Sequence, residues 1–402
     1  MKNVFKKACA AVLTVALGAS MMFTMASCKK ENSYTANNTV FKIGGMGPED
    51  GGAAKYGIAV RNSALMAVEE INALEDGEFK FELTFLNDSH DATKVASNYA
   101  NLFENGMQVS IGCVTTSPAL EFAPLSYDDS VFFITPSASG DAVPQYPNGY
   151  QMCFSDSNQG TASAQYFNAN YQGKTVGVFY KSDDPYSSGI YENFKENLDS
   201  SFSLVEASFT GNPASFDSQV TLLSGCDVIF MPVYTEPASL FMKNGVGHIK
   251  NNAVYYGCDG LDGIDCVENF DINSIPQEVS FLSHFNSNAT SGPAYDYIQK
   301  YNARFDEAKE PTNQFGAAAY DCVYAIYEAM KYAKAHGKEL SVTMSAAELC
   351  ELLQEVFNSE DFVFHGVTGE CVNGQKSNIS WDESGYVNKQ AVKYVVKEAD
   401  SN

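Results

Sequence analysis

Apolar and polar positions follow two rhythms along most of this chain. Short apolar-rich segments fall at residues 40–46, 79–86, 109–113, 131–134, 176–180 and 228–231. Runs of that length bounded by turn residues read as strands buried on both faces. Between them the period lengthens. Val60, Ala64, Ala67, Val68 and Ile71 share one helical stripe, with Glu69, Glu70 and Asn72 off it. Residues 92–104, a segment from Pro118, and residues 159–170, 186–198, 236–243, 295–307 and 315–335 keep the same helical period. Residues 363–372 and 378–380 read as short strands. The strand–helix alternation comes in two blocks with a break near Asp156, which predicts two Rossmann-like α/β lobes with parallel sheets.

The first 27 residues do not belong to that pattern. Lys2, Lys6 and Lys7 precede an apolar run from Ala8 to Gly18, and small Ala26 and Ser27 precede Cys28. Residues 1–27 therefore read as a secretory signal peptide, which takes no part in the fold. Met25-Ala26-Ser27-Cys28 has the form of a lipobox with Met where Leu is usual, so Cys28 is expected to carry a lipid. Residues 28–38 are then a polar tether between anchor and fold. No later apolar run is long enough to span a bilayer.

Composition narrows the partners. Lys plus Arg number 25 against 49 Asp plus Glu, a formal charge of −24. Losing residues 1–27, with three Lys and no acid, takes this to −27. A basic nucleic-acid footprint is absent, and the folded part has no charge attraction to an anionic membrane. Beyond Cys9 and Cys28 the cysteines are Cys113, Cys153, Cys226, Cys258, Cys266, Cys322, Cys350 and Cys371, with no C-x-x-C pair. Several stand in apolar runs and read as buried thiols, although an exported protein has the chance to pair some of them.

Familiar catalytic patterns fail one by one. His90, His248, His284, His336 and His365 form no H-E-x-x-H and read as surface or helix-end residues. There is no G-x-S-x-G elbow. Gly173-Lys174-Thr175 ends like a P-loop with Asn168 in place of its first Gly, and Gly45-Met46-Gly47 opens like a dinucleotide fingerprint with Asp50 in place of its third. Asp259, Asp262 and Asp265 are not spaced as a calcium loop. No metal or cofactor is expected, and the chain reads as a binding protein rather than an enzyme.

Hydroxyl clusters follow two of the strands, at Thr115-Thr116-Ser117-Pro118 and at Thr135-Pro136-Ser137-Ala138-Ser139-Gly140. Pro118 suits a first helical turn, which makes Thr116 or Ser117 the expected cap. The same groups serve either as simple caps or, with the free N–H groups of a helix start, as an anion site.

Several segments resemble, in order, the branched-chain amino acid (Leu/Ile/Val-type) binding proteins of ABC importers. They are residues 41–72, 111–123, 134–140, 156–160, 176–189, 314–324, 366–369 and 381–385. The resemblance implies a type I periplasmic-binding fold whose chain crosses three times between lobes, near Asp156, His284 and Trp381. Residues 39–155 and 285–380 would form lobe 1, and residues 156–284 and 381–402 lobe 2. It implies that Thr116, backbone groups of Ala138, and Ser139 hold a ligand carboxylate. Asp259, in Gly257-Cys258-Asp259-Gly260, would pair with the ligand ammonium. Tyr56, Tyr186 and Tyr234 would line the cleft, and Asp156 would stand near the crossover. Asp259 departs from members that carry Glu, and Thr115 is not the Cys that would be needed for a disulfide there. The expected protein is a lipid-anchored, extracytoplasmic monomer that captures an amino acid and docks on a membrane permease. Rival readings are a sensory receptor of the same fold, a site for a small amide, and an enzyme built on Asp259 with a hydroxyl nucleophile.

Overall fold

Buried apolar runs become the strands of two sheets in the computed structural model, which describes residues 39–75, 77–305, 310–369 and 378–400. The signal segment, the tether, Cys28, Cys371 and the end of the 363–372 segment lie outside the described residues.

The first sheet contains β1 (Phe41–Gly47), β2 (Phe81–Asn87), β3 (Val109–Cys113), β4 (Phe132–Thr135) and β5 (Gly149–Gln151) in the order β2-β1-β3-β4-β5, all parallel. The second contains β6 (Thr175–Lys181), β7 (Ser203–Phe209), β8 (Val228–Met231), β9 (Val254–Gly257), β10 (Glu278–Ser283) and β11 (Val392–Lys397) in the order β11-β10-β9-β8-β6-β7. Only β11 runs antiparallel.

The helices are α1 (Ala54–Ala73), α2 (Val95–Glu104), α3 (Thr116–Asp128), α4 (Asp156–Asn170), α5 (Pro185–Asn197), α6 (Asp217–Leu223), α7 (Thr235–Gly245), α8 (Gly292–Arg304), α9 (Gln314–Ala335) and α10 (Ala346–Phe357). They cover both faces of each sheet, so four apolar clusters form the interior. One side of the first sheet packs on α1, α9 and α10, the other on α2 and α3. The second sheet packs on α6 and α7 on one side and on α4 and α5 on the other. Two-face burial explains why strands such as β4 and β8 read as continuous apolar runs, whereas the edge strand β2 alternates and is mostly half-exposed.

Three details differ from the sequence expectations. The cap of helix α3 is Thr115, one residue before Thr116 and two before Ser117, with no side chain bonding the first turn. Thr116 and Ser117 are its first helical residues. The 363–372 and 378–380 segments show only an isolated bridge, Phe364 with Ile379, among the described residues. His284 is buried rather than at the surface, edge-on to Phe154 at 5.2 Å.

The chain leaves the first core late. Trp381 lies in that core against Phe357, and its indole N–H donates to Gln151 O at 2.7 Å. Gln151 N donates in turn to Gly385 O, so residues 381–385 are tied to β5 before the chain enters β11. Nearby, Asp321 accepts from the N–H groups of Val367 and Thr368, while Lys389 donates to Thr368 Oγ1. No helix among the described residues is long and apolar enough to cross a membrane. The described cysteines are all free, and only Cys266 is exposed.

Candidate functional site

In a parallel sheet the loops at the carboxyl ends of the strands gather side chains at one edge. Here the two sheets bring such edges together. From the first come Tyr56 at the start of α1, Val114 and Thr115 after β3, and Ser137 after β4. From the second come Tyr186 in α5, Tyr234 after β8, and Asp259 and Gly260 after β9. With Phe315 of α9 they enclose a cavity of about 10 Å³, room for roughly one water.

The backbone is shaped to hold them there. A Cβ on Gly57 would stand 1.9 Å from Pro48 O, so glycine lets α1 press on the loop after β1 and carry Tyr56 to the edge. Tyr56 then spans the gap. Its hydroxyl donates to Gly260 O at 2.7 Å, accepts from Thr235 N–H at 3.0 Å, and lies 3.1 Å from Thr235 Oγ1. Lys55 Nζ donates to Gly263 O at 3.0 Å, and Gln314 N–H donates to Asp262 Oδ2 at 2.9 Å. These bonds tie α1 and α9 to the loop after β9 and, through Thr235, α1 to the start of α7.

The aromatic wall is continuous. Tyr186 stacks on Tyr234 with centroids 4.7 Å apart, Tyr234 meets Tyr56 at 5.7 Å, and Tyr56 meets Phe315 edge-on at 5.2 Å. Such pairs prefer offset or edge-on geometry and fix one another's rotamers.

Asp259 is the charge at the centre. It is 1% exposed. Its Oδ1 accepts from Tyr186 O–H at 2.7 Å, the Tyr186 hydroxyl oxygen accepts in turn from Gly260 N–H at 2.8 Å, and Asp259 N–H donates to Gln159 Oε1 at 3.0 Å. Its Oδ2 has no partner. Burial pushes this carboxyl up to about 7, with the Tyr186 and Gln159 bonds pulling the other way. Asp156, the first residue of α4, is equally enclosed. Its N–H donates to Ser139 O at 2.8 Å, its Oδ1 has no partner, and burial raises its pKa well above the carboxylate range. Ser139 Oγ and Gln159 Nε2 are likewise buried without a partner. Unpaired buried polar atoms are costly, and so many on one edge mark a place built to receive a polar partner.

Tyr56, Tyr186, Tyr234 and Asp259 line the cavity, whereas Ser139 and Asp156, joined to each other through the backbone, are not in its lining. Two assignments shift. Thr116 Oγ1 accepts from Gly140 N–H at 3.3 Å, and a Cβ on Gly140 would stand 2.5 Å from Thr116 Cγ2; Thr115 is the residue that faces the cavity. Ala138 N–H is committed to Thr135 Oγ1 at 3.0 Å and its C=O to Gln151 Nε2 at 2.9 Å, while Ser137 faces the cavity. Phe315, Thr235 and Gln159 were not singled out from sequence. Gln159 lies one helical turn from Asp156, which is a usable signal. The other two have none. Among the described residues no group of side chains could hold a metal.

Two mostly parallel sheets meeting over a buried acid and an aromatic wall define a two-sheet architecture with a small cavity where their edges meet. The chain belongs to the periplasmic binding protein family, whose model matches residues 40–361. A Leu/Ile/Val-binding protein from Rhizobium johnstonii is 25% identical over 56% of this chain and 62% of its own length, so the match spans under two thirds of that relative. A leucine-, isoleucine-, valine-, threonine- and alanine-binding protein from Pseudomonas aeruginosa is 24% identical over 75% of this chain and 80% of its own length. Among solved structures, the LivJ substrate-binding protein of Streptococcus pneumoniae in complex with isoleucine superposes with a TM-score of 0.73 at 24% identity, covering 90% of this chain and 99% of that one. A solute-binding protein of Rhodopseudomonas palustris in complex with 3,4-dihydroxybenzoic acid also gives 0.73, at 18% identity over 90% of this chain and 94% of that one. These structures share the fold.

Proposed function

We propose that this protein is the extracytoplasmic capture component of an ABC importer and takes an α-amino acid between its two lobes. The observation that carries this reading is Asp259, a buried carboxylate with one oxygen unpartnered at the cavity. Opposite stand the Thr115 hydroxyl and the uncapped start of α3, while the Ser137 hydroxyl beside them donates to Val114 O at 2.6 Å. A zwitterion needs an acceptor at one end and donors at the other, and charge-assisted hydrogen bonds are the strong, oriented kind. An acid that lacks an amine leaves Asp259 without compensation, which weighs against an aromatic carboxylate. The names of the relatives support the amino acid class.

In this reading residues 39–155 and those from 285 onward form lobe 1. Residues 156–284 with β11 form lobe 2, and the third crossing falls between Asn388 and Val392 rather than at Trp381. Ligand closes the lobes by hinge bending, and the closed form docks on the permease. Residues 1–27 direct export and a lipid on Cys28 holds the chain at the membrane. A thermal-shift screen of the twenty amino acids with benzoate and 3,4-dihydroxybenzoate tests the assignment. Stabilisation by one or a few amino acids is expected; stabilisation by the benzoates alone would overturn it.

A further inference from the structure

His90 touches both walls of the site. It sits in the loop after β2 with φ of 57°, directly after Ser89 at 53°. Two consecutive non-glycine residues in left-handed backbone cost energy and persist only where the surroundings hold them. Here Asp88 Oδ1 accepts from His90 N–H and Asn87 Oδ1 from Ser89 N–H, each at 2.8 Å. The loop so fixed sends the imidazole across the cleft. Nδ1 lies 2.8 Å from Thr115 Oγ1, and the ring meets Tyr234 edge-on with centroids 5.4 Å apart.

A threonine hydroxyl has one proton to give. If Nδ1 carries a hydrogen, it donates to Thr115 Oγ1 and leaves the Thr115 proton for a ligand anion. If Nδ1 is bare, Thr115 spends its proton on His90 and shows the ligand only lone pairs. The tautomer of His90 therefore decides whether Thr115 can hold a carboxylate. We propose that His90 is a positioning residue for carboxylate recognition: its Nδ1–H makes Thr115 a donor into the cleft, and its contact with Tyr234 completes that donor when the two sheets close.

The charged groups around the ring are Asp88 and Asp91 of its own loop, Lys94 just beyond, and Lys181 at the end of β6. Burial and Lys181 hold the imidazole below its ordinary pKa, with Asp91 opposing, which keeps the ring neutral and gives the tautomer its meaning. The inference rests on the proposed capture only in requiring a carboxylate ligand, a group that amino acids and aromatic acids share.

Three variants test it. His90→Phe keeps a ring against Tyr234 and removes the nitrogen, His90→Asn tolerates the left-handed backbone and keeps an amide donor, and Thr115→Val removes the hydroxyl. Calorimetry compares each with wild type on a bound amino acid and its primary carboxamide, and on benzoate and benzamide. His90→Phe is expected to weaken the carboxylate ligand about tenfold and its amide less than about twofold. His90→Asn should recover most of the loss, and His90→Phe with Thr115→Val should bind no more weakly than Thr115→Val alone. Equal losses on acid and amide, or additive losses, would overturn the proposal. A long-range ¹H–¹⁵N spectrum of the ligand-free protein should show the Nδ1–H tautomer at His90 and lose it in Thr115→Val; an Nε2–H tautomer in the wild type would contradict it. Failure of every amino acid to bind would refute the capture reading while the benzoate pair and the spectrum still decide the role of His90.

Discussion

Tyr56→Phe removes one oxygen from the contact between the two halves of the molecule and little else. The ring stays against Phe315 and Tyr234, while Gly260 O loses a donor at 2.7 Å and Thr235 N–H loses an acceptor at 3.0 Å. Tyr56 rides on α1 in the core of the first sheet, whereas Gly260 and Thr235 follow strands of the second. When the halves part, water replaces these bonds, so the loss falls on the closed arrangement alone. Two ordinary hydrogen bonds, at about 0.5–1.5 kcal/mol each, give about 1–3 kcal/mol. If ligand binds to the closed form, affinity should fall about 5- to 150-fold. Isothermal calorimetry reads that change, and small-angle scattering should show a larger radius of gyration for the variant at subsaturating ligand. Unchanged affinity would refute the reasoning. So would a fall in melting temperature with no fall in affinity, which would make the Tyr56 hydroxyl part of the fold rather than of closure.

The pH dependence of binding follows from Asp259. Its carboxyl is raised to about 7 by burial, so it must lose a proton to meet an ammonium below that pH. Affinity should fall as pH drops through about 7, approaching tenfold per unit. In the ligand-free protein the same shift acts on stability with the opposite sense, since the folded state binds more protons than the unfolded between about 4 and 7 and loses stability as pH rises there. Burial also raises the carboxyls of Asp88, Asp184 and Asp262 to about 6, so the diagnostic quantity is the difference between wild type and Asp259→Asn, which should have the flatter profile. Thr115→Val should weaken a carboxylate ligand about ten- to hundredfold in calorimetry. Thr116→Val, which loses only the bond from Gly140 N–H, should cost about 1 kcal/mol in denaturant unfolding and leave affinity nearly unchanged. Cys28→Ser should shift the protein from the membrane to the soluble fraction on detergent partitioning, or leave it unprocessed.

Six strands were legible in the sequence, among them VSIGC in β3 and VIFM in β8, whose residues are all buried. β7 and β11 escaped notice as edge strands of the second sheet whose mostly half-exposed or exposed residues break the apolar run, and the buried β5, β9 and β10 were not read as strands either. At the site, Tyr56 and Tyr186 stand in segments whose order resembles the family, while Tyr234 and Asp259 lie outside those segments and were assigned position by position from the resemblance. The hydroxyl loops were located, but not the orientation of their members. Thr115 and Thr116 are chemically equivalent neighbours, and only the start of α3 decides that one faces the cavity while the other turns to Gly140. Ser137 and Ala138 differ for the same reason, since Thr135 Oγ1 captures the Ala138 N–H. His90 was illegible because its reach to Thr115 depends on left-handed backbone at two successive residues, which the sequence Asp88-Ser89-His90-Asp91 does not announce.

Recognition of an α-ammonium by Asp259 stands at the centre of this account, and calorimetry of wild type and Asp259→Asn on one amino acid and its deaminated analogue tests it most directly. Asn is nearly isosteric, so the fold should persist, and the lost charge should cost about 2–5 kcal/mol of binding to the amino acid. The wild type should prefer the amino acid strongly over the analogue, and Asp259→Asn should lose most of that preference. Equal losses for both ligands, or no loss for either, would contradict ammonium recognition by Asp259.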